Sequence, residues 1–187
     1  MMQEILIIDD FFPDIDKVFP FLKEVPIGEY SMFGKSYSGV GPVTIPVQFL
    51  IMQALHKPVK ITISHLRIGN STTKLTNYIH ADGPAGDFAA VIHFTEPDCF
   101  TGTAFWKNIR TGEDRLNPEH TTEEFEAYSK ETDDESFWKM VSYVGAKENR
   151  ATIFKSNLFH SRSPKNLPIL ENETPRMVYT AMFKLLS

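Results

Sequence analysis

An α+β fold, with strands in two facing sheets or a jelly-roll barrel behind a pair of leading helices, is what this chain predicts on three observations. Helical periodicity is confined, before residue 58, to two short stretches. From Val59 onward the texture becomes one of short alternating or apolar runs, about eight at fairly regular spacing. Turn residues punctuate those runs at Gly69-Asn70-Ser71, Glu96-Pro97-Asp98 and Thr111-Gly112.

The elements follow in order. Residues 4–9 form a short apolar run that reads as a buried strand, and Asp10-Phe11-Phe12-Pro13 reads as a turn. Ile15, Val18, Phe19 and Leu22 recur at helical spacing and predict a short amphipathic helix on the outside of a sheet, despite Pro20. The stretch from Gly28 to Pro46 reads as irregular loop or short strands. Pro46, at a favourable first position, opens a second helix whose apolar stripe is Val47, Leu50, Ile51, Ala54 and Leu55, ending at Lys57-Pro58.

Val59 to Ile68 alternates as a strand, and the strand after the next turn places Thr76, Tyr78, His80 and Asp82 on one face and Leu75, Asn77 and Ile79 on the other. Gly83-Pro84-Ala85-Gly86 ends it. Further strands are expected over Phe88–Phe94, Thr103–Trp106, Arg150–Phe154, Leu158–Ser161 and Arg176–Leu186. Residues 113–149 carry much of the acidic charge, with helical spacing around Phe125, Tyr128, Phe137 and Met140, and predict a helical insertion too short to own a core. Such a segment is a soluble face or a lid over a substrate.

A chain of 187 residues with 42% hydrophobic content is long enough for one domain with a sizeable core, so residues 1–187 are expected to form a single unit. Within it, residues 1–58 supply the first strand and supporting helices, and residues 59–187 the core. Net charge is −5 with no Lys/Arg cluster, which argues against a nucleic-acid footprint or a polybasic membrane anchor. No apolar run approaches the length of a membrane span, and no secretory leader is recognisable. Cys99 is the one cysteine, which fits a reducing, cytoplasmic setting. Oligomeric state is not legible.

The most informative pattern is His80-Ala81-Asp82, followed by His160 and then Arg176. On a strand, residues i and i+2 lie on one face roughly 6.5 Å apart, so His80 and Asp82 can converge on one ion. Two neutral imidazoles and a carboxylate take one face of an octahedral metal and leave the other open, as in non-haem Fe(II) oxygenases. A closed structural zinc site would need a fourth ligand, usually with cysteines. Tyr78 shares the predicted face of His80, as a pocket hydroxyl or as an aromatic of the core. Trp106 stands equally as pocket wall or core filler. Arg67 alternates with His65 and Ile63; if that face is interior its charge must meet an anion, but a solvated strand residue is the reading preferred. His56, His65, His93 and His120 have no carboxylate two residues away on a predicted strand, and Asp9-Asp10 fits a solvent-facing turn better than a metal pair.

These parts together resemble the Fe(II)- and 2-oxoglutarate-dependent dioxygenase superfamily, of prolyl-hydroxylase-like type, over roughly Val59 to the carboxyl terminus. The matching residues are His80-Ala81-Asp82, Gly102-Thr103-Ala104-Phe105-Trp106, Phe154 through His160-Ser161-Arg162, and Arg176-Met177-Val178. The resemblance implies a double-stranded β-helix, a cupin-like jelly roll. It implies Fe(II) held by His80, Asp82 and His160, with 2-oxoglutarate as cosubstrate and O2 as oxidant. It also implies hydroxylation of a C–H bond in a small molecule, amino acid or peptide side chain, with release of succinate and CO2. The carboxylate of Asp82 argues against the halogenating variants, which lack that ligand. Arg176 is the expected clamp on the distal carboxylate, its planar fork suiting bidentate recognition. Arg162 competes for that role, because the spacing from His160 to Arg176 is longer than is usual in the family. Asn77 stands where relatives often carry a tyrosine. The alternatives are a cupin-like metal-dependent isomerase or epimerase without 2-oxoglutarate, and a non-catalytic metal-binding jelly roll.

Overall fold

The computed structural model describes residues 4–32, 35–42, 47–69, 77–94, 101–166 and 176–186. The expected turn at Asn70-Ser71 and the strand positions Leu75 and Thr76 lie outside them. Strands β1 (Ile5–Ile8), β2 (Gly28–Met32), β3 (Lys35–Pro42), β4 (Val59–Gly69), β5 (Phe88–His93), β6 (Gly102–Asn108), β7 (Trp138–Gly145), β8 (Ala151–Lys155), β9 (His160–Ser163) and β10 (Arg176–Leu185) alternate with helices α1 (Phe19–Lys23), α2 (Val47–Leu55) and α3 (Thr122–Glu131). The strands form two antiparallel sheets, ordered β1-β8-β5-β10-β4-β3-β2 and β7-β6-β9. Few residues are helical, and among the described residues no helix is long and apolar enough to cross a membrane.

The larger sheet is buried on both faces, and its alternation shows how. All six residues of β5 are buried: Ala90 and Ile92 join one apolar cluster, while Ala89 and Val91 join another. The first cluster takes Leu22 from α1, Val47 and Ile51 from α2, and Phe11, Phe12 and Phe94, so the leading helices cover the outer face as expected. Each fully buried Leu or Ile there contributes about 1.5–3 kcal/mol from removal of apolar surface from water. The second cluster joins Ala89, Val91, Phe154 and Val178 of the large sheet to Phe105 and Val144 of the small one, which sets the two sheets face to face. A third, of Tyr78, Ile79, Ala104, Trp106, Tyr128, Trp138 and Phe159, covers the outer face of the small sheet.

Three expectations are corrected. The first helix splits into a single 3-10 turn at Ile15–Lys17 and the short α1, because Pro20 has no N–H to continue a helix begun at residue 15 and is tolerated only in the first turn of a new one. The insertion at 113–149 is only partly helical. Its α3 starts at a capping box in which the Thr121 hydroxyl accepts from the Glu124 N–H and the Glu124 carboxylate accepts from the Thr121 N–H. Phe137 then ends a 3-10 turn and Met140 lies on β7, which pairs with β6. The apolar spacing fits either period, and the β-favouring Trp138, Val141, Tyr143 and Val144 decide it. Residues 77–82 do not form a regular strand, with consequences for the site.

Candidate metal centre

Asn77 has φ 52°, a left-handed conformation that asparagine tolerates and that a regular strand does not contain. His80 nevertheless forms an isolated antiparallel bridge with His160, the first residue of β9: His80 N–H donates to the His160 carbonyl at 3.0 Å, and His160 N–H donates back at 2.8 Å. Asp82 follows in a helical conformation (φ −75°, ψ −13°) before a 3-10 turn at Gly83–Ala85, and its N–H donates to the Ser156 carbonyl at 2.8 Å. A bridge and a turn, rather than strand alternation, bring the pair together.

The three side chains converge. One ligand atom from each of His80, Asp82 and His160 lies within 4.8 Å of the other two. His80 Nε2 is 3.7 Å from Asp82 Oδ1, and His160 Nε2 is 3.5 Å from Asp82 Oδ2. Those separations are too long for good hydrogen bonds and leave space for an ion between the groups. Each imidazole uses its other nitrogen on the carbonyl two residues back, His80 Nδ1 on Tyr78 O at 3.2 Å and His160 Nδ1 on Leu158 O at 2.9 Å. With Nδ1–H donating to a carbonyl, each Nε2 keeps its lone pair for a metal, the usual orienting device of histidine ligands. Burial first, and His160 second, hold His80 well below the ordinary histidine value, at about 4, against the opposing pull of Asp82. His80 is therefore neutral at physiological pH, as a ligand must be. The Asp82 and His160 side chains are 9% and 8% exposed and that of His80 is 38%, so the trio opens to solvent on the His80 side. The donor set and its orientation fit a divalent transition metal.

Arg176 begins β10 opposite Gly69. It is buried, its Nε has no hydrogen-bond partner, and among the described residues no carboxylate pairs with it. Burial, then Arg162 and Arg67, lower its pKa to about 9, opposed by Tyr143. A buried guanidinium next to two other arginines calls for an anion. Arg162 is two residues beyond His160 on β9 and faces Thr103, with its Nη2 donating to the Lys165 carbonyl at 2.5 Å. Arg67 pairs with Val178, whose side chain belongs to the inter-sheet cluster, so Arg67 is half-buried on the face turned to the small sheet and not the solvated strand residue expected. His65, half-buried and held at about 4 by burial first and by Arg67 second, also feels Asp82.

Other expected residues lie elsewhere. Tyr78 does not share a face with His80; it joins the outer cluster with its sequence neighbour Ile79, which a strand would send the opposite way, and packs edge-on to Trp106 at 6.3 Å. Trp106 is a core residue of that cluster and donates from Nε1 to Ser161 Oγ at 2.9 Å. His93 is buried in the large sheet, His56 caps the end of α2 at φ 51°, and His120 meets Glu113 at 3.0 Å. Asp9 faces solvent but binds Arg150 at 2.6 Å and Lys147 at 3.1 Å, which pull its carboxyl down to about 2. A surface cavity of 490 Å³ lined by Lys107, Glu113, Arg115 and Asn157 shares no residue with the trio, so it is not the metal cleft.

Sequence reasoning missed Asp133. Its Oδ1 accepts from Tyr78 N–H at 3.0 Å and its Oδ2 from Asn77 N–H at 3.4 Å, and the neighbouring Thr132 carbonyl accepts from Ile79 N–H at 2.9 Å. An aspartate in an acidic run carries no local signal of a partner 55 residues away.

Comparison with solved structures gives the same overall fold at low identity. A non-haem alpha-ketoglutarate-dependent carbocyclase, SnoK, from nogalamycin biosynthesis matches at TM-score 0.59 and 12% identity, covering 97% of this chain and 79% of its own. HygX from Streptomyces hygroscopicus, with nickel and 2-oxoglutarate bound, matches at 0.58 and 11%, covering 96% and 82%. The epimerase SnoN from nogalamycin biosynthesis, also alpha-ketoglutarate dependent, matches at 0.57 and 12%, covering 96% and 77%. No curated protein matches by sequence. A family model described as a family of unknown function, DUF6445, matches residues 70–166, more than half of the 187 residues and a span that holds His80, Asp82, Asp133 and His160. The chain belongs to that family of unknown function.

Proposed function

We propose that this protein is an Fe(II)- and 2-oxoglutarate-dependent oxygenase that hydroxylates a C–H bond of a small molecule, amino acid or peptide side chain, giving succinate and CO2. The observation that carries the reading is the pair of imidazoles whose Nδ1 atoms are engaged by carbonyls and whose Nε2 atoms face one carboxylate, with a buried arginine on the facing sheet that meets no carboxylate among the described residues. We read the two sheets as a double-stranded β-helix, residues 1–187 forming one catalytic unit. Alpha-ketoglutarate dependence in SnoK and SnoN, and bound 2-oxoglutarate in HygX, support the fold's suitability for this chemistry.

Each residue has a role in that reading. His80, Asp82 and His160 would hold the metal, and a set of three protein ligands would leave room for the cosubstrate. When bound, Fe(II) supplies the redox chemistry that couples O2 to decarboxylation of 2-oxoglutarate. Arg176 receives the distal carboxylate as a charge-assisted fork, with Arg162 and Arg67 adding to the positive field. Phe154, edge-on to His160 at 4.7 Å, and Val178 keep water from that side of the site. Tyr78 has no part in cosubstrate binding here, being in the outer cluster. Fe(II) and a lone cysteine both suit a reducing cytoplasm.

The test is anaerobic loading with Fe(II) and 2-oxoglutarate, exposure to O2, and measurement of succinate. Wild type should release it, and His80→Ala, Asp82→Ala and His160→Ala should each abolish release. Full turnover by any of the three defeats the ligand assignment. Metal binding without succinate would favour the non-catalytic barrel, and isomerisation of a substrate without 2-oxoglutarate would favour the cupin-like isomerase.

A further inference from the structure

The metal ligands rest on a fastening point in the insertion. Tyr78 is held at both ends of its backbone: its N–H donates to Asp133 Oδ1 at 3.0 Å, and its carbonyl accepts from His80 Nδ1 at 3.2 Å. The residues on either side are fixed from the same turn, Asn77 N–H by Asp133 Oδ2 at 3.4 Å and Ile79 N–H by the Thr132 carbonyl at 2.9 Å. Three successive N–H groups are thus gathered by the end of α3, just before the ligand. Asn77 in its left-handed conformation turns the chain so that they can be.

The same aspartate meets a residue just beyond the strand that the other histidine begins. Lys165 follows β9, the strand that His160 begins, and its Nζ lies 4.0 Å from Asp133 Oδ1 and donates to the Asp133 carbonyl. Lys165 Nζ also stands 5.4 Å from the Tyr78 ring centroid, a cation–π distance. Arg162 Nη2 donates to the Lys165 carbonyl. Asp133, through its side chain and its backbone carbonyl, therefore ties the segment entering His80 to Lys165 beyond the end of β9.

We infer that Asp133 is a positioning residue of the metal centre, which through Tyr78 and Lys165 sets the orientation of His80 and its register with His160. The insertion is then part of the site's supporting shell and not only a solvated face or lid. This rests on the metal reading of the trio. Groups hydrogen-bonded directly to metal ligands typically change metal affinity by about 10- to 100-fold when lost, and Asp133, one hydrogen bond further out through Tyr78, should act at the low end of that range.

Cobalt(II) is a suitable probe, because its visible absorption reports ligand geometry and needs neither O2 nor cosubstrate. Titration of wild type should give a saturating spectrum, and His80→Ala should lose it. Asp133→Ala should weaken Co(II) binding about tenfold or more and alter the band shape. Asp133→Asn, which keeps one acceptor for the Tyr78 N–H, should restore much of the affinity. Lys165→Met, a change on the partner, should move affinity the same way by a smaller factor and keeps the question open to decision if Asp133→Ala does not fold. Wild-type affinity and spectrum in folded Asp133→Ala, or in both Asp133→Asn and Lys165→Met where the alanine variant does not fold, would overturn the inference while leaving the ligand assignment intact. Absence of any Co(II) spectrum in wild type would instead sink the metal reading and this inference with it.

Discussion

His80 and His160 exchange both backbone hydrogen bonds of a single antiparallel bridge, at 3.0 and 2.8 Å, and their rings lie 4.6 Å apart centroid to centroid. They stand eighty positions apart in sequence, yet this bridge brings their backbones side by side. Asp82, two residues on from His80, then needs only one turn to reach both Nε2 atoms.

Asp82→Asn keeps the shape of that third ligand and removes its charge. In EDTA the variant should melt within about 2 °C of wild type, since the substitution conserves the volume and shape of a largely buried side chain. Free Mn(II) at a hundred times its dissociation constant should stabilise wild type by about 2.7 kcal/mol and Asp82→Asn far less. Differential scanning fluorimetry with and without EDTA reads both; an unchanged metal-induced rise in the variant contradicts Asp82 as a ligand.

Arg176 is a buried charge with no carboxylate partner among the described residues, so Arg176→Met should hold or raise the stability of the metal-free protein, by up to about 4 kcal/mol on the precedent of buried charges replaced by apolar groups. The same change should raise KM for 2-oxoglutarate about 10- to 100-fold, the worth of a charge-assisted hydrogen bond. Arg176→Lys should fall between, since it restores the charge without the fork. Urea melts and succinate kinetics on both variants decide it: lower stability with unchanged KM would mean Arg176 is only structural.

His93 is buried, with Nδ1 unpaired, and burial first, then Arg176 and Arg150, lower its pKa to about 3. The unfolded chain therefore takes up this proton near pH 6.5 while the folded chain does not. The resulting stability is fully present above pH 6.5 and is lost as pH falls from there towards 3. Between pH 7.5 and 5 the loss should be about 2 kcal/mol. His93→Gln should flatten that slope in urea melts; a parallel slope would show that His93 titrates normally.

Asn149 takes φ 60° and grips Phe12 at both ends, its Oδ1 accepting from the Phe12 N–H and its Nδ2 donating to the Phe12 carbonyl, both at 2.8 Å. Asn149→Ala should lose about 2–4 kcal/mol, from the left-handed backbone and the two stranded polar groups of Phe12. Asn149→Gly should recover the backbone part alone. Since these residues lie among the apolar cluster under the leading helices, cobalt affinity should not change in either folded variant.

Most strands were legible because their burial follows the pattern of their residues. β5 and β8 read as apolar runs and are buried on both faces, and β4 reads as an alternation that pairs with β10. The candidate trio was legible by residue type and order, since few combinations of histidine and aspartate suit a metal, and the three side chains do lie together. What failed was local. Treating 77–82 as a strand placed Tyr78 beside His80, whereas a left-handed asparagine and hydrogen bonds from Asp133 send it to the outer cluster. β7 read as helix because Phe137 and Met140 are three apart, and only pairing with β6 settles its period. Long-range polar contacts such as Asp133 to Tyr78 leave no periodic trace at all.

The strand order has a consequence for synthesis. β10 is the last of the described strands to be made, yet it lies between β4 and β5 and holds both. Until residues 176–185 emerge from the ribosome, β4 and β5 expose unpaired inner edges, and the nascent chain is two half-sheets vulnerable to mispairing. Truncation before Arg176 should therefore give an aggregating product rather than a smaller folded one, and maturation of the cleft becomes a late event in the life of each molecule.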